Sequence, residues 1–558
     1  MVLIQFKEFW RWVMSSNKLR PLKNKASKGV LSAALELYQI YSNGHDPQSD
    51  KKLAEELMKQ CIDELQFVGE TPKNKIYFES LKLINFRRFD KLEVHFEKDL
   101  TVIVGVNGAG KTSIIDAITR TFSYLNARII KFKRPGRPLT QSDVKVKCYS
   151  TAEAISVLHL GENTRYDGSL VRAADGIESS KDSELDSYHN FSSLYRATND
   201  YCRKNNLNEI NLPLFVSYTV ERTDNKSSVS YNVAKVPKIS LDTRFDALDS
   251  SATDGSTNLD LFLEWYIALY ISMLDTPKVE YDSNLFQQIS SLEQIVDSDT
   301  HSLWGMLQDL KKEANGSKEA HTDDLNYRKL LKQRIDDAIF TAVPDIKDLI
   351  VETSSGRAEV KAKILDEYIN IKNLSKGQQV TFSLVADISK RLSQLNPNLD
   401  NPFNGQGVIL IDELELHLHP SWQQLIINTL VKTFKNIQFI VTTHSPQILS
   451  TVHSSKLRLL GKNIEGDDIA SKPLSIETFA HPSSDVMQSI MGVNPIPHLP
   501  VIDTLEKYRL LIEQGDYEDP DISSQIEKFQ KTLFEQLGEN HPELIILNDI
   551  KVRRELLG

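Results

Sequence analysis

The sequence has 558 residues, of which 40% are hydrophobic and 25% are charged, and its formal net charge is −10. This length and composition are typical of a globular protein of about three to four domains. The acidic balance argues against a protein dominated by nucleic-acid binding, although it leaves room for a local basic groove. The sequence contains no run of about 18 uncharged apolar residues, so we expect no membrane-spanning helix.

The cysteines indicate the compartment. The three cysteines are Cys61, Cys148 and Cys202, and none of them belongs to a C-x-x-C pair. Disulfide frameworks and zinc sites use paired cysteines. We therefore expect a reduced, cytoplasmic protein without a zinc site.

Composition and periodicity divide the chain into regions that together predict an α/β fold with helical additions at both ends. Helical spacing comes first, then strand-like alternation from Ile76, and then "TVIVGVNGAGKTSII", which predicts a strand, a glycine-rich loop and a helix. A long polar stretch follows, with a strand-like island, "LPLFVSYTVER", and a helical island, "LDLFLEWYIALYISML". The predicted regions are a helical N-terminal region (1–73), a first lobe (74–150), a mostly helical insert (151–365), a second lobe (366–453) and a C-terminal region with a helical end (454–558).

The loop "GVNGAGKT" fits the pattern G-x-x-x-x-G-K-[ST], between a strand and a helix. Its glycines allow successive backbone N–H groups to turn toward one anion, and the helix N-terminus favours negative charge. Lys111 adds a cation at the β- and γ-phosphates, and Thr112 supplies a ligand for Mg²⁺. We predict an ATP site in which the binding residues of this loop are Gly105, Asn107, Gly108, Gly110, Lys111, Thr112 and Ser113.

Two acidic residues follow the apolar run of "GVILIDELELHLHP". The run predicts a buried parallel strand that ends at Asp412 and Glu413. We predict that Asp412 holds Mg²⁺ and that Glu413 is the catalytic residue that orients or deprotonates the attacking water. The alternative is that the two carboxylates simply close a strand.

The segment "NIQFIVTTHSP" predicts another apolar strand, which ends at Thr443 and His444. An imidazole at the carboxyl end of a core strand would lie near the γ-phosphate and its water. We predict a catalytic, phosphate-sensing role for His444, while a histidine that only packs in the core is the alternative.

A second anion site is predicted in "NLSKGQQVTFSLVADISKRL", where a serine and a glycine begin an amphipathic helix. One ATP molecule cannot easily occupy two such sites within one fold. We therefore expect a second subunit, arranged head to tail, whose helix covers the γ-phosphate held by the first. The predicted binding residues are Ser375, Gly377 and Gln378.

These four elements, in this order, resemble the ABC-type ATPases, and specifically their SMC, RecF and OLD-like branch. The segment "LKLINFRRFDKLEVHF" is similar to the opening of that branch, and "LSKGQQ" resembles its signature motif, with Lys376 in place of the second glycine. The resemblance implies an ABC-type head with a mixed sheet and flanking helices. It also implies that His417 and His419 of "HLHP" need not bind metal.

A narrower resemblance, to the PtuA-type ATPases of Septu and retron antiphage systems, comes from the helical prefix, the insert and the tail segment "SSDVMQSIMGVNPIP". It implies an ATP-binding sensor and scaffold, assembled from head-to-tail dimers, that gates a separate HNH-type nuclease resembling PtuB. In the retron version, a reverse transcriptase and its msDNA are further partners. We expect the amphipathic helices within residues 503–538 to dock the nuclease.

One competing hypothesis is a DNA-repair ATPase of the RecF or SMC kind. The basic stretch "ARIIKFKRPGRP" could then contact nucleic acid, or it could be a solvated loop; its cations are Arg128, Lys131, Lys133, Arg134 and Arg137. The absence of a long heptad pattern from the sequence argues against SMC-like arms.

The other competing hypothesis is an OLD-like ATPase with its own metal-dependent nuclease site. The acidic groups "NIEGDD" and "YEDPD" imitate the spacing of such a site, through Glu465, Asp468, Asp519 and Asp521. However, "YEDPD" follows a predicted helix rather than an apolar strand. We therefore expect no intrinsic nuclease.

Overall fold

A computed structural model of the chain describes residues 16–42, 50–131, 134–147, 150–178, 181–220, 230–232, 241–257, 259–274, 291, 325–354, 356–462, 468–470, 476–515 and 519–557. The helices, in chain order, are α1 (Ser16–Ser27), α2 (Leu31–Ser42), α3 (Lys51–Leu65), α4 (Lys111–Ile130), α5 (Asp186–Lys204), α6 (Leu259–Leu274), α7 (325–342), α8 (Lys376–Leu395), α9 (Pro420–Thr433), α10 (Pro446–Leu449), α11 (Ser483–Ser489), α12 (Pro500–Gln514), α13 (Pro520–Leu537) and α14 (Pro542–Leu557). The strands are β1 (Phe67–Val68), β2 (Thr71–Pro72), β3 (Ile76–Phe86), β4 (Phe89–His95), β5 (Leu100–Val104), β6 (Thr151–Leu160), β7 (Thr164–Ala173), β8 (Leu214–Tyr218), β9 (Tyr231–Asn232), β10 (Ile346–Ser354), β11 (Arg357–Ile364), β12 (Glu367–Asn370), β13 (Gly407–Ile411), β14 (Ile437–Thr443), β15 (Leu457–Lys462) and β16 (Asp468–Ala470).

The central sheet has the strand order β16-β15-β5-β14-β13-β8. Strands β15, β5, β14, β13 and β8 run parallel to their neighbours, and β16 adds an antiparallel edge. Every residue of β5, β8, β13 and β14 is buried, as expected for a parallel sheet covered on both faces. The predicted α/β fold, with a mixed sheet and flanking helices, is confirmed.

The ends of three strands in this sheet define the site. Val104, the last residue of β5, pairs with Thr443 of β14. Ile411, the last residue of β13, pairs with Val441, two residues before the end of β14. Because neighbouring parallel strands end at one edge, the residues that follow them meet there although they are distant in sequence.

A second, antiparallel sheet with the order β4-β3-β6-β7 packs near the first. The buried Gln438 of β14 connects the two, because its side-chain oxygen accepts from the Phe78 N–H at 2.7 Å and its amide donates to the Phe78 carbonyl at 2.9 Å. Residues 151–173, which we assigned to the insert, are β6 and β7 of this sheet, and β8 is a strand of the central sheet. Hydrogen bonding between strands therefore continues past residue 150, and the division of the chain into lobes and insert stays a prediction.

The signature helix α8 follows a third sheet, in which β11 pairs with β10, β12 and β9. The C-terminal half of helix α8 carries a buried ion pair, in which Arg391 Nε donates to Asp387 Oδ2 at 2.8 Å. The Tyr218 hydroxyl donates to the same carboxylate oxygen at 2.8 Å. Helix α8 is thus joined to the last residue of β8 in the central sheet.

The N-terminal helices are present within the described residues, as predicted. Helix α3 buries Leu57, Cys61 and Leu65 on its inner face. The short strands β1 and β2 follow it, before the first lobe begins. Cys61 and Cys202 are free and buried, and Cys148 lies outside the described residues.

The chain divides into two compact units, Met1–His481 and Pro482–Gly558. Strand β15, which follows residue 454, pairs with β5 of the central sheet, and the start of a C-terminal region at residue 454 stays a prediction. In the second unit, α12, α13 and α14 share a core formed by Leu505, Tyr508, Ile512, Ile526, Leu533, Leu544 and Leu547. The apolar faces that we expected to dock a partner are thus covered by neighbouring helices of the same unit.

We expect Arg391→Ala to lower the free energy of unfolding by about 3–5 kcal/mol, because it leaves Asp387 buried without its cation. Arg165→Ala is the matched control, since Arg165 pairs with Asp167 on the surface, where the loss is less than about 1 kcal/mol. Urea unfolding of the two variants beside the parent measures both. Equal losses in the two variants would contradict the structural role given to the buried pair.

Candidate nucleotide-binding site

The glycine-rich loop leaves β5 and enters α4 in the conformation that the motif requires. Gly108 and Gly110 have positive φ angles of 74° and 98°. A Cβ atom at Gly110 would lie 2.3 Å from the Phe89 ring, so a side chain is excluded there by both backbone conformation and space. Asn107 and Gly108 are exposed at the tip of the loop.

Lys111, the first residue of α4, is only 5% exposed. Its ammonium group donates to the carbonyl oxygens of Gly105 at 3.0 Å and Val106 at 3.4 Å. Burial lowers the pKa of Lys111, and the nearby carboxylates of Asp412, Glu413 and Glu415 oppose that change. A buried cation that is held partly by loop carbonyls can exchange them for phosphate oxygens.

The predicted magnesium ligands are brought together. Asp412 follows β13 and is fully buried, and its Oδ2 accepts from the Thr112 hydroxyl at 2.8 Å. Its Oδ1 accepts from the Thr442 hydroxyl. A carboxylate and a hydroxyl, together with phosphate oxygens and water, are the hard oxygen ligands that Mg²⁺ prefers. The pair therefore fits the predicted ion.

Glu413 lies beside this pair in an unusual backbone conformation. Its φ angle is +47°, which is uncommon for a residue with a side chain, and its N–H donates to the Thr442 hydroxyl at 2.8 Å. Thr442 therefore contacts both acidic residues and sets their relative position. The catalytic role of Glu413 stays a prediction.

His444 follows β14, and its Nε2 contacts the Lys111 ammonium group. Burial lowers the pKa of His444, and Lys111 lowers it further, while the three nearby carboxylates oppose both effects. The imidazole is therefore favoured in its neutral form. The structure places His444 at the phosphate loop, and its place near the γ-phosphate and its sensing role stay predictions.

The signature residues lie at the start of α8. Ser375 caps the helix, and Ser375 and Gln378 form a reciprocal capping box. The Gln378 amide also donates to Asp345 Oδ2 at 3.0 Å. Within one chain, the Ser375 and Gln378 side chains thus hydrogen-bond to each other, and Gln378 also bonds to Asp345.

Residues 77–449, which contain the whole of this site, match the AAA ATPase domain family. The chain belongs to this family of AAA ATPases. Membership implies that the chain binds a nucleotide, and such domains usually bind it together with Mg²⁺. Within the described residues, no helix is both long enough and apolar enough to span a membrane.

Among curated proteins, this AAA ATPase is similar to two probable ATPases of retrons. It is 28% identical to the Retron Ec83 probable ATPase of Escherichia coli, over 80% of this chain and 81% of that protein. It is also 28% identical to the Retron Vc95 probable ATPase of Vibrio cholerae, over 88% of this chain and 93% of that protein. The Septu protein PtuA of Bacillus mycoides is 26% identical over 34% of this chain and 28% of that protein. The expected resemblance to retron and Septu ATPases is confirmed.

Two residues of this ATPase site were not singled out from the sequence. Arg88 follows the first strand of the lobe, and its guanidinium group donates to the Gly108 carbonyl. Glu415 accepts hydrogen bonds from the Thr443 hydroxyl at 2.8 Å and from the His444 N–H. In the sequence, these two residues appear only as the second arginine of "FRRF" and the second glutamate of "DELE". Most charged residues on loops are simply solvated, so neither pattern indicates a functional role.

Several other candidates have structural partners in this AAA ATPase. Arg137 donates to the Thr253 carbonyl at 2.9 Å and the Ser250 carbonyl at 3.3 Å, which ties down one end of the basic stretch. His419 and Asp519 cap the helices α9 and α13. Asp468 lies in the edge strand β16. The candidates that lie outside the described residues are Glu465 and Lys133.

We expect Lys111→Ala and Glu413→Gln to separate ATP binding from hydrolysis. Lys111→Ala should weaken ATP binding at least about tenfold, because it removes the main cation of the loop. Glu413→Gln should bind ATP as the parent does and hydrolyse it at least about a hundredfold more slowly, because the amide cannot accept the proton of the water. Titration with a fluorescent ATP analogue and phosphate release measure the two effects. Hydrolysis at the parent rate in Glu413→Gln would remove the catalytic assignment.

Proposed function

We propose that the chain is an ATP-hydrolysing sensor and scaffold subunit of a bacterial antiphage defence complex in the cytoplasm. The proposal of ATP hydrolysis rests on one observation: Lys111, Asp412 and His444 lie close together at one edge of the central sheet. Thr112 contacts Asp412 at 2.8 Å, and Lys111 contacts His444, so the predicted phosphate, metal and sensing residues form one continuous group. The similarity to retron and Septu ATPases supports the defence role.

The side chains divide the chemistry among them. The loop N–H groups and Lys111 bind the phosphates, and Thr112 and Asp412 hold Mg²⁺, which neutralises charge on the phosphate oxygens when bound. Glu413 orients the water and accepts its proton. Neutral His444 offers the γ-phosphate a hydrogen-bond donor without becoming charged.

The site is completed by a second copy of the chain. Ser375 and Lys376 are exposed at the N-terminus of α8, where backbone N–H groups favour an anion. In the head-to-tail arrangement, these groups, with Gly377 and Gln378, cover the γ-phosphate that Lys111 of the other subunit holds. Asp345, beside Gln378, would then be displaced from it or would face the phosphate through water.

We expect a mixture of Lys111→Ala and Ser375→Arg chains to hydrolyse ATP although neither variant does so alone. Each mixed dimer contains one site with an intact Lys111 and an intact Ser375, so up to about half of the parent activity per mixed dimer should return. A subunit-exchange assay with two fluorescent labels is the control. If exchange is complete and activity stays absent, the shared site is wrong.

The partner that we propose is an HNH-type nuclease resembling PtuB, with a reverse transcriptase and its msDNA in the retron version. The ATP-bound dimer would hold this nuclease inactive. A ligand can switch such an assembly only by binding one state more tightly than the other. A coupling of about 3 kcal/mol changes the active fraction by about two orders of magnitude. Docking would use surfaces other than the apolar helix faces that the C-terminal unit buries in its own core.

We expect the chain purified together with the proposed HNH-type nuclease to cleave nucleic acid in a way that depends on ATP. Lys111→Ala should abolish this dependence. Cleavage assays over a titration of ATP measure it, and the chain alone is the control. Cleavage by the chain alone would favour the OLD-like hypothesis. Cleavage by the pair that ignores both ATP and Lys111→Ala would contradict the gating.

A further inference from the structure

The loop of residues 413–418, between β13 and α9, contacts residues 442–445 at the end of β14 and just beyond it, which we call the switch segment. The Leu414 N–H donates to the Thr442 carbonyl at 3.1 Å, which extends the pairing of β13 and β14 by one bond. Beyond it, the loop turns on itself through the bonds from Leu416 N–H to the Glu413 carbonyl and from Leu418 N–H to the Glu415 carbonyl. The loop is therefore a defined structure with two faces.

On one face of the loop, the Glu415 carboxylate accepts two hydrogen bonds from the switch segment. Its Oε2 accepts from the Thr443 hydroxyl at 2.8 Å, and its Oε1 accepts from the His444 N–H. The Thr443 hydroxyl in turn accepts from the Ser445 N–H at 3.0 Å. Hydrogen bonds to a carboxylate are about twice as strong as those between neutral groups. Glu415 thus fixes the backbone from which the imidazole of His444 reaches Lys111.

On the other face, the loop supports the first turn of the signature helix. A Cβ atom at Gly377 would lie 2.4 Å from the His417 carbonyl oxygen, so the helix rests directly on the loop backbone. His417 has a φ angle of +66°, which turns its carbonyl into this position at the cost of an uncommon conformation. At Gly377 the helix is therefore in direct contact with the loop backbone, and a side chain at this position would push the two apart.

We infer that Glu415 is a positioning residue that couples the phosphate end of the site to the signature surface of the same subunit. The connection runs from Lys111 through His444 and Glu415 to the 413–418 loop, and from the His417 carbonyl to Gly377. A movement of His444 on binding or loss of the γ-phosphate is thereby transmitted to the helix that faces the other subunit. This inference rests on the proposed hydrolysis of ATP at this site.

Hydrogen exchange in the nucleotide-free chain tests the connection without any need for hydrolysis. We expect Glu415→Ala to speed amide exchange about tenfold in a peptide covering residues 443–445, because the acceptor of the His444 N–H is lost. We also expect faster exchange in a peptide covering residues 375–385. Glu415→Gln should stay near the parent, since its carbonyl oxygen accepts from His444 and its amide can donate to Thr443. Glu367→Ala, which removes an exposed carboxylate on β12, is the control.

The kinetic consequence is a loss of turnover with little loss of binding. We expect Glu415→Ala to lower kcat for ATP hydrolysis about tenfold, with the ATP dissociation constant within about threefold of the parent, and Glu415→Gln to restore kcat. Faster exchange at residues 443–445 alone, with residues 375–385 unchanged, would overturn the coupling. A parent chain that binds but does not hydrolyse ATP would overturn the proposed hydrolysis, and the exchange measurement would still decide the role of Glu415.

Discussion

Lys111 is a cation almost wholly removed from solvent at the start of a helix, and the surrounding structure is arranged to keep it there. Burying an ammonium group is costly unless oxygen atoms and negative charges replace its water. The Gly105 and Val106 carbonyls supply the oxygens, and three carboxylates that follow β13 supply the charge. Beyond these two carbonyls, Gly108 and Gly110 adopt positive φ angles, which let the loop turn back into the helix that Lys111 begins.

The need for negative charge near the buried Lys111 ammonium group explains which residues lie at the carboxyl edge of the central sheet. Three acidic residues follow β13, namely Asp412, Glu413 and Glu415. The neighbouring strand β14 ends with Thr442 and Thr443 and is followed by His444. Hydrogen bonds join the residues of the first group to those of the second. The threonine hydroxyls and backbone N–H groups satisfy carboxylates that would otherwise repel each other. The carboxylates of Asp412 and Glu415 are thus held by groups of the neighbouring strand and the residue after it before a nucleotide binds, which preorganises this part of the site.

Those parts of the site that a short local sequence pattern specifies could be predicted from the sequence. The glycine-rich loop, Asp412 and His444 each stand at the end of an apolar strand, and the ends of parallel strands converge. The sequence was not sufficient for Glu415 or Arg88, because the partners of these side chains lie in other segments. The pairing of β6 with β3, and of β7 with β6, was hidden by polar residues in these strands. The place of β8 depends on its long-range partner β13. The helices within residues 503–538 are amphipathic, as their spacing predicts, but periodicity does not reveal that helices of the same unit cover their apolar faces.

The central claim is that ATP lies between the phosphate loop of one chain and the signature helix of another. A direct measurement places a cysteine at the exposed Val106 in one chain and at the exposed Lys376 in the second, both in the Glu413→Gln background with Cys148 replaced. A short bis-maleimide should then join the two different chains when ATP is present and leave them separate when it is absent. Cross-linking that is equal with and without ATP, or its absence in ATP-saturated protein, would contradict the shared site.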